Sequence, residues 1–432
     1  MRQLLATKVS GNLLGLWLLI PEHLRLGTWD LVCGWARTPP EQVEPRLALQ
    51  LVHESALCVT GVRQQRTLSQ RGFELAHGLP FVASDLAMHQ LLNAHTVIES
   101  QRLQVALGKL RRASGDFPGP LLAVDPHRIP SSSKRQMRRF RTDQRTKPYK
   151  VVQTFFALDP DSHQPVCLTI ASSAKTVTTA TKELLDLSAE ILSPTPGERL
   201  ILADLEHSTA ELLDYVKAQT PFDLLVPQMN QPSIVKQFQQ IPADQFQPRW
   251  AGFATLKRRY SLFRGKHGPY WQFVQRSGET PETYRFQAFL CTADRDEVDA
   301  LTAEFPKRWH VEEFFNTDQA LGWNRGGTLN LNIRYGQMTM ALLAQAVLHQ
   351  LRNRLGEPFA SWEAGHFAKS MLAGLDGDIR VQGNTIIVTY YNAPHADQLR
   401  HTYEHLPRRL AEENIPAEIP WLYNFKLDFR FK

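Results

Sequence analysis

Cysteine is scarce: the chain has 4 in 432 residues. Cys33, Cys58, Cys167 and Cys291 are too few and too scattered for a disulfide framework. No two form the C-x-x-C pair of a structural zinc site, so the expectation is reduced thiols in a reducing compartment. Long hydrophobic runs are also missing. The Leu-rich stretch Leu13–Ile20 is too short to cross a bilayer, is stopped by Pro21, Glu22 and His23, and is followed by no small-residue cleavage site. Neither a signal peptide nor a membrane segment is expected, which points to a cytoplasmic protein. Internal repeats and long low-complexity tracts are absent as well, so a repeat architecture is not expected.

Acids are lacking in two particular places. Between Arg128 and Lys150 stand Arg128, Lys134, Arg135, Arg138, Arg139, Arg141, Arg145, Lys147 and Lys150 against Asp143 alone. Arg249, Lys257, Arg258, Arg259, Arg264 and Lys266 form a second group with no acid among them. A net charge of +6 says little in itself, but clustered cations are the electrostatic footprint of a phosphate-binding face. The composition, 43% hydrophobic and 21% charged, is that of an ordinary soluble protein.

The pattern along the chain divides it into five parts. Residues 1–118 read as helical, with amphipathic candidates at Pro45–Gly61 and His89–Ala113, and are expected to form a separate DNA-binding domain ending at the Pro/Gly-rich stretch Asp116–Pro120. Residues 119–229 alternate short apolar runs with one helical stretch and then another: Leu121–Asp125, Tyr149–Leu158, Pro165–Ala171, helix Thr176–Leu192, Arg199–Asp204, helix Thr209–Lys217 capped by Ser208, and Phe222–Val226. That order implies an α/β layered domain whose later strands are parallel. Residues 230–296, with aromatic strands at Tyr270–Val274 and Tyr284–Cys291, read as a β-rich insertion. Residues 297–354 return to helix, at Lys307–Leu321 and Leu331–Leu351. Residues 355–432 read as a small α+β part, with a helix around Ser361–Leu372, a hairpin turning at Gly383-Asn384 and a final alternating strand, Trp421–Phe431.

Two of the apolar runs end in an acid, Asp125 and Asp204. A single acid at a strand end is usually a turn former or a helix cap; two on neighbouring strands of one sheet stand where open α/β sheets bind ligands. On the helix Lys307–Leu321, Arg308, Glu312, Phe315 and Gln319 share one face. Glu312 is a candidate third carboxylate, its plain alternative being an i, i+4 salt bridge with Arg308. Convergent carboxylates are the usual protein ligands of Mg2+. His127 and His207 read as hydrogen-bonded neighbours of the two aspartates rather than ligands, and Glu206 as a group that holds a helix N-terminus. Trp250 and Trp271 flank the second basic group and are either packing or base-stacking residues.

The ordered set LLAVD (Asp125), LILADLE (Asp204, Glu206) and RWHVEEFF (Arg308, Trp309, Val311, Glu312), with β-rich sequence between the last two, resembles the DDE transposases of the insertion-sequence-four superfamily over residues 119–354. The resemblance implies an RNase H-like catalytic core and a metal-binding catalytic triad of Asp125, Asp204 and Glu312 holding two Mg2+ (or Mn2+) ions. It implies binding of transposon terminal inverted repeats, DNA strand cleavage and strand transfer to target DNA, a homodimer on DNA, and a nucleoid-associated bacterial enzyme. It points to DNA contacts from Arg308 and Gln319; the two basic groups add Lys134, Arg135, Arg138, Arg139, Lys257, Arg258 and Arg259, with Trp250 and Trp271 as the candidate base-stacking residues. The chain departs from the family at two places: Phe305 stands where the family has Tyr and Gln319 where it has Lys, which implies a weaker clamp on a DNA hairpin. A domesticated, non-catalytic DNA-binding protein and a plain metal-dependent nuclease of the same fold are the alternatives.

Overall fold

A computed structural model describes residues 3–4, 7–59, 68, 70–131, 133–134, 137, 139–141, 147–171, 175–250, 252–324 and 327–432. The chain forms two compact units, residues 1–111 with 315–432 and residues 112–314.

The unit of residues 112–314 is built on one sheet. Its strands are β1 (Leu121–Pro130), β2 (Arg139–Phe140), β3 (Tyr149–Asp159), β4 (Gln164–Ala171), β5 (Leu200–Ala203), β6 (Asp223–Gln228), β7 (Gln247–Trp250), β8 (Phe253–Leu262), β9 (His267–Ser277) and β10 (Arg285–Cys291). The order is β2-β3-β1-β5-β6-β10-β9-β8-β7, with β4 also paired to β3. β3 is antiparallel to β1 and β4, whereas β1, β5 and β6 run parallel. This antiparallel-then-parallel arrangement, with helices α1 (Val177–Leu192) and α2 (Ala210–Gln219) in the crossovers, is an RNase H-like α/β fold. β5 and β6 are short and apolar because they lie in mid-sheet: Leu200, Ile201, Leu202, Ala203, Leu224, Leu225 and Val226 are all buried.

Two expectations about this unit need correction. β1 does not stop at Asp125 but continues to Pro130. Past Val124 it has lost its β5 neighbour and pairs with β3 alone, so polar residues are tolerated there and the apolar signal ends early. The strands between residues 230 and 296 are continuous with the core sheet. β10 pairs antiparallel with β6, and Cys291 lies opposite Leu225, so they extend the core sheet. One apolar cluster, including Leu121, Leu202, Leu225, Phe273 and Phe289, spans both parts. A short helix, α3 (Pro232–Gln239), precedes them. Finally, α2 is capped by Thr209, whose Oγ1 accepts the Leu212 amide at 3.2 Å, and not by Ser208.

In the other unit the buried helix Leu331–Leu355 packs on Glu44–Ala56. A five-stranded sheet joins Val9–Gly11 to Gly377–Gln382, Thr385–Tyr390, Phe425–Phe431 and Glu418–Ile419. The hairpin at Gly383-Asn384 is present. The long helix expected at His89–Ala113 is two, Asp85–Ala94 and Val97–Ala113, because the backbone at His95 is extended. The sequence pattern sets residues 1–118 and 355–432 in different parts, while the fold groups 1–111 with 315–432. Pairings such as Val9 with Ile379 are too remote in sequence to leave a local pattern. Among the described residues no helix is long and apolar enough to cross a membrane.

Candidate active site

The parallel ladder of β1 and β5 ends with Val124 opposite Ala203. Asp125 is the next residue along β1 and Asp204 is the residue that follows β5, so chain register places the two aspartates side by side at the carboxyl end of β5. Asp125 stays in the ladder to β3, opposite Phe156, and its side chain is 15% exposed. Asp204 leaves the sheet and caps the short turn Leu205–His207. Its Oδ1 accepts the Glu206 amide at 3.0 Å and lies 2.6 Å from Nδ1 of the buried His207.

These surroundings move the two carboxyls in opposite directions. Burial, and then the charge of Asp204, push Asp125 up to about 7, while Arg308 and His207 pull the other way. Burial also raises Asp204, but the His207 hydrogen bond and charge, the Glu206 amide and Arg308 outweigh it and hold Asp204 below the usual carboxylate range. Two like charges in a poorly solvated place thus share one strong acid and one weak one.

Phe305–Trp309 forms a 3-10 turn that leads into α4 (His310–Asp318). Arg308 Nη1 is 3.8 Å from Asp125 Oδ1, and its Nη2 is 3.3 Å from Glu312 Oε1. The guanidinium therefore stands between the first aspartate and the glutamate. Among the described residues the three carboxylates do not form a group with all ligand oxygens within 4.8 Å of one another. The donor set nevertheless suits a hard divalent cation, which takes oxygen ligands and keeps several waters. A cation would offset both the burial of the Asp125 charge and its repulsion by Asp204, the two largest causes that raise Asp125.

The single helical face expected for Arg308, Glu312, Phe315 and Gln319 is interrupted at both ends. Arg308 precedes α4, and Gln319 follows it in a separate 3-10 turn, exposed. Phe305 packs edge-on against Phe289 at 4.8 Å, beside the core cluster, so an apolar ring suits the position. Glu206 does not hold a helix N-terminus; it pairs with Arg128, which takes that arginine out of the basic stretch. Burial lowers His127 to about 4, so its ring is neutral.

The basic stretch leaves β1 five residues beyond Asp125, about 17 Å at ~3.3 Å per residue, rather than directly beside it. Lys134 and Arg139 are exposed; Arg135 and Arg138 lie outside the described residues. The second group draws acids from elsewhere in the chain: Arg249 pairs with Glu297, and Lys257 pairs with Asp294 and donates to the Arg295 carbonyl at 2.7 Å. Arg258 donates to Gln272 Oε1 at 2.6 Å. Arg259, exposed, lies 4.0 Å over the Trp271 ring, and Lys257 lies 4.8 Å over the same ring. Trp250 is 38% exposed and tilts against Phe253. Of these features, the Arg128–Glu206 pair has no local sequence signal, since its partners are 78 residues apart.

No family model matches the chain, and no curated protein does. Among solved structures, it is similar to a piggyBac transposase synaptic complex with hairpin DNA, studied by cryo-electron microscopy. The similarity is at 12% identity with a TM-score of 0.42, covering 85% of this chain and 82% of that one.

Proposed function

We propose that this chain is a DDE-type transposase, of the bacterial insertion-sequence-four kind, that cuts transposon ends and joins them to target DNA. What carries the reading is the register that sets Asp125 against Asp204, with Arg308 linking Asp125 to Glu312. In this reading Asp125, Asp204 and Glu312 hold two Mg2+ or Mn2+ ions. The ions, when bound, activate the attacking oxygen and stabilise the leaving one at a phosphodiester. The protein's own part is positional. β1 fixes Asp125 through its ladder to β3, His207 orients Asp204, and Arg308 offers a fixed cation at the place where phosphate charge has to be met. The enzyme works as a homodimer that holds two ends together, in the cytoplasm at the nucleoid. Lys134, Arg135, Arg138, Arg139 and Arg259 meet the backbone phosphates.

The test is nicking of DNA that carries the inverted repeats flanking the coding region. We expect strand cleavage that requires Mg2+ or Mn2+ and falls to background in Asp204→Asn, while binding of the same DNA persists. Cleavage that survives in Asp204→Asn overturns the assignment. Binding without cleavage by the wild-type chain favours the non-catalytic alternative.

A further inference from the structure

A second group of ligating side chains converges outside the acidic site. His163 lies in the turn between β3 and β4, and its ring stacks on that of His310 with centroids 4.4 Å apart and planes at 26°. His163 Nδ1 is 4.0 Å from Glu313 Oε2. Among the described residues, His163, His310 and Glu313 offer ligand atoms that all lie within 4.8 Å of one another.

The surroundings orient these groups. His310 Nδ1 is 2.6 Å from the Pro160 carbonyl. That bond requires a proton on Nδ1, so in the neutral ring Nε2 carries the lone pair, the usual way a ligand imidazole is fixed. His310 and Glu313 are three residues apart at the start of α4 and so share a side of the helix. The neighbouring Glu312 turns instead to Arg308. Lys307 Nζ, 2.6 Å from Asp161 Oδ1, ties the same turn to the same helix start.

We propose that His163, His310 and Glu313 form a second metal site, for Zn2+ or a similar borderline divalent ion, distinct from the acidic site. Imidazole nitrogens favour such ions, whereas Mg2+ favours oxygen. Two His and one carboxylate leave a fourth position for water. Zinc–ligand distances of about 2.0–2.2 Å place neighbouring ligands roughly 3.3 Å apart in a tetrahedron, so small side-chain rotations close the site. The bound ion clamps the β3–β4 turn to the helix that carries Glu312, a positioning role with no part in phosphoryl chemistry.

Zn2+ alone is the probe, added to the full-length chain in the presence of excess Mg2+, with bound zinc counted by elemental analysis after dialysis. The expected result is one Zn2+ per chain, kept in an Asp125→Asn/Asp204→Asn variant. His163→Ala and Glu313→Gln, both with unchanged circular dichroism and unchanged zinc-free Tm, weaken binding by at least about tenfold. Zinc should also raise the Tm of the wild type and not that of His163→Ala. Retention of zinc by His163→Ala and Glu313→Gln, its loss in the double aspartate variant, or no bound zinc in the wild type each overturns the proposal.

Discussion

Asp125 is held where its charged form is disfavoured, and this has a measurable consequence for stability. Its folded-state carboxyl titrates near 7 through burial and the nearby Asp204, against an ordinary value of 3.8. A carboxyl raised in this way contributes stability that is fully present below about pH 4 and is lost as pH rises through about 7, because the unfolded chain gives up the proton first. A tenfold change in an acid dissociation constant is worth about 1.4 kcal/mol, so the loss is on the order of a few kcal/mol. Asp125→Asn removes the ionisation. In chelator, the variant should therefore be the more stable protein at pH 8, by a few kcal/mol at most, and the two should draw together towards pH 4. Mg2+ at pH 8 should narrow the gap by stabilising the wild type alone. Thermal melts across this pH range check it; parallel curves for the two proteins would contradict the electrostatic account.

At the scale of elements, the sequence shows the strands by their apolar runs and loses them where burial is one-sided. Leu121–Val124 is legible because all four residues are buried alongside β5, while His127 and Arg128 look like loop because past Val124 only β3 remains beside β1. The aspartates at 125 and 204 stand out as acids closing apolar runs, but their adjacency depends on β1–β5 register, which no local pattern encodes. Glu312 is legible as a helical acid beside Arg308, yet the break between the Phe305–Trp309 turn and α4 is not, since Pro306 permits helix at its own position. The cap of α2 is a sharper example. Ser208 and Thr209 are both good N-cap types, and only backbone geometry separates them: Thr209 is extended at φ −115°, ψ 142°, and its hydroxyl reaches the Leu212 amide. Thr209→Ala should therefore cost about 1 kcal/mol, whereas Ser208→Ala should stay within roughly 0.5 kcal/mol. Denaturant midpoints at constant m-value measure both; equal losses would return the cap to Ser208.

Across the whole molecule, and on the function proposed above, a count of cations overstates the surface available to DNA. Arg128, Arg249 and Lys257 are each engaged by an acid distant in sequence, so the basic groups seen in the sequence are partly neutralised on folding. Lys134, Arg139 and Lys147 are exposed in the connection from β1 to β3. A cation that neutralises a phosphate releases condensed counterions, and removing one such cation lowers the slope of log affinity against log salt by roughly 0.9. Replacing Lys134, Arg139 and Lys147 together by Gln should flatten that slope by up to about 2.7. Lys257→Gln should change it less than any one of those residues does, because its ammonium already faces Asp294 and the Arg295 carbonyl. Binding isotherms for the full chain over a range of salt, on end-containing and random duplexes alike, decide the matter. A slope unmoved by the triple replacement, or moved more by Lys257→Gln, would place the DNA path on a different face of the protein.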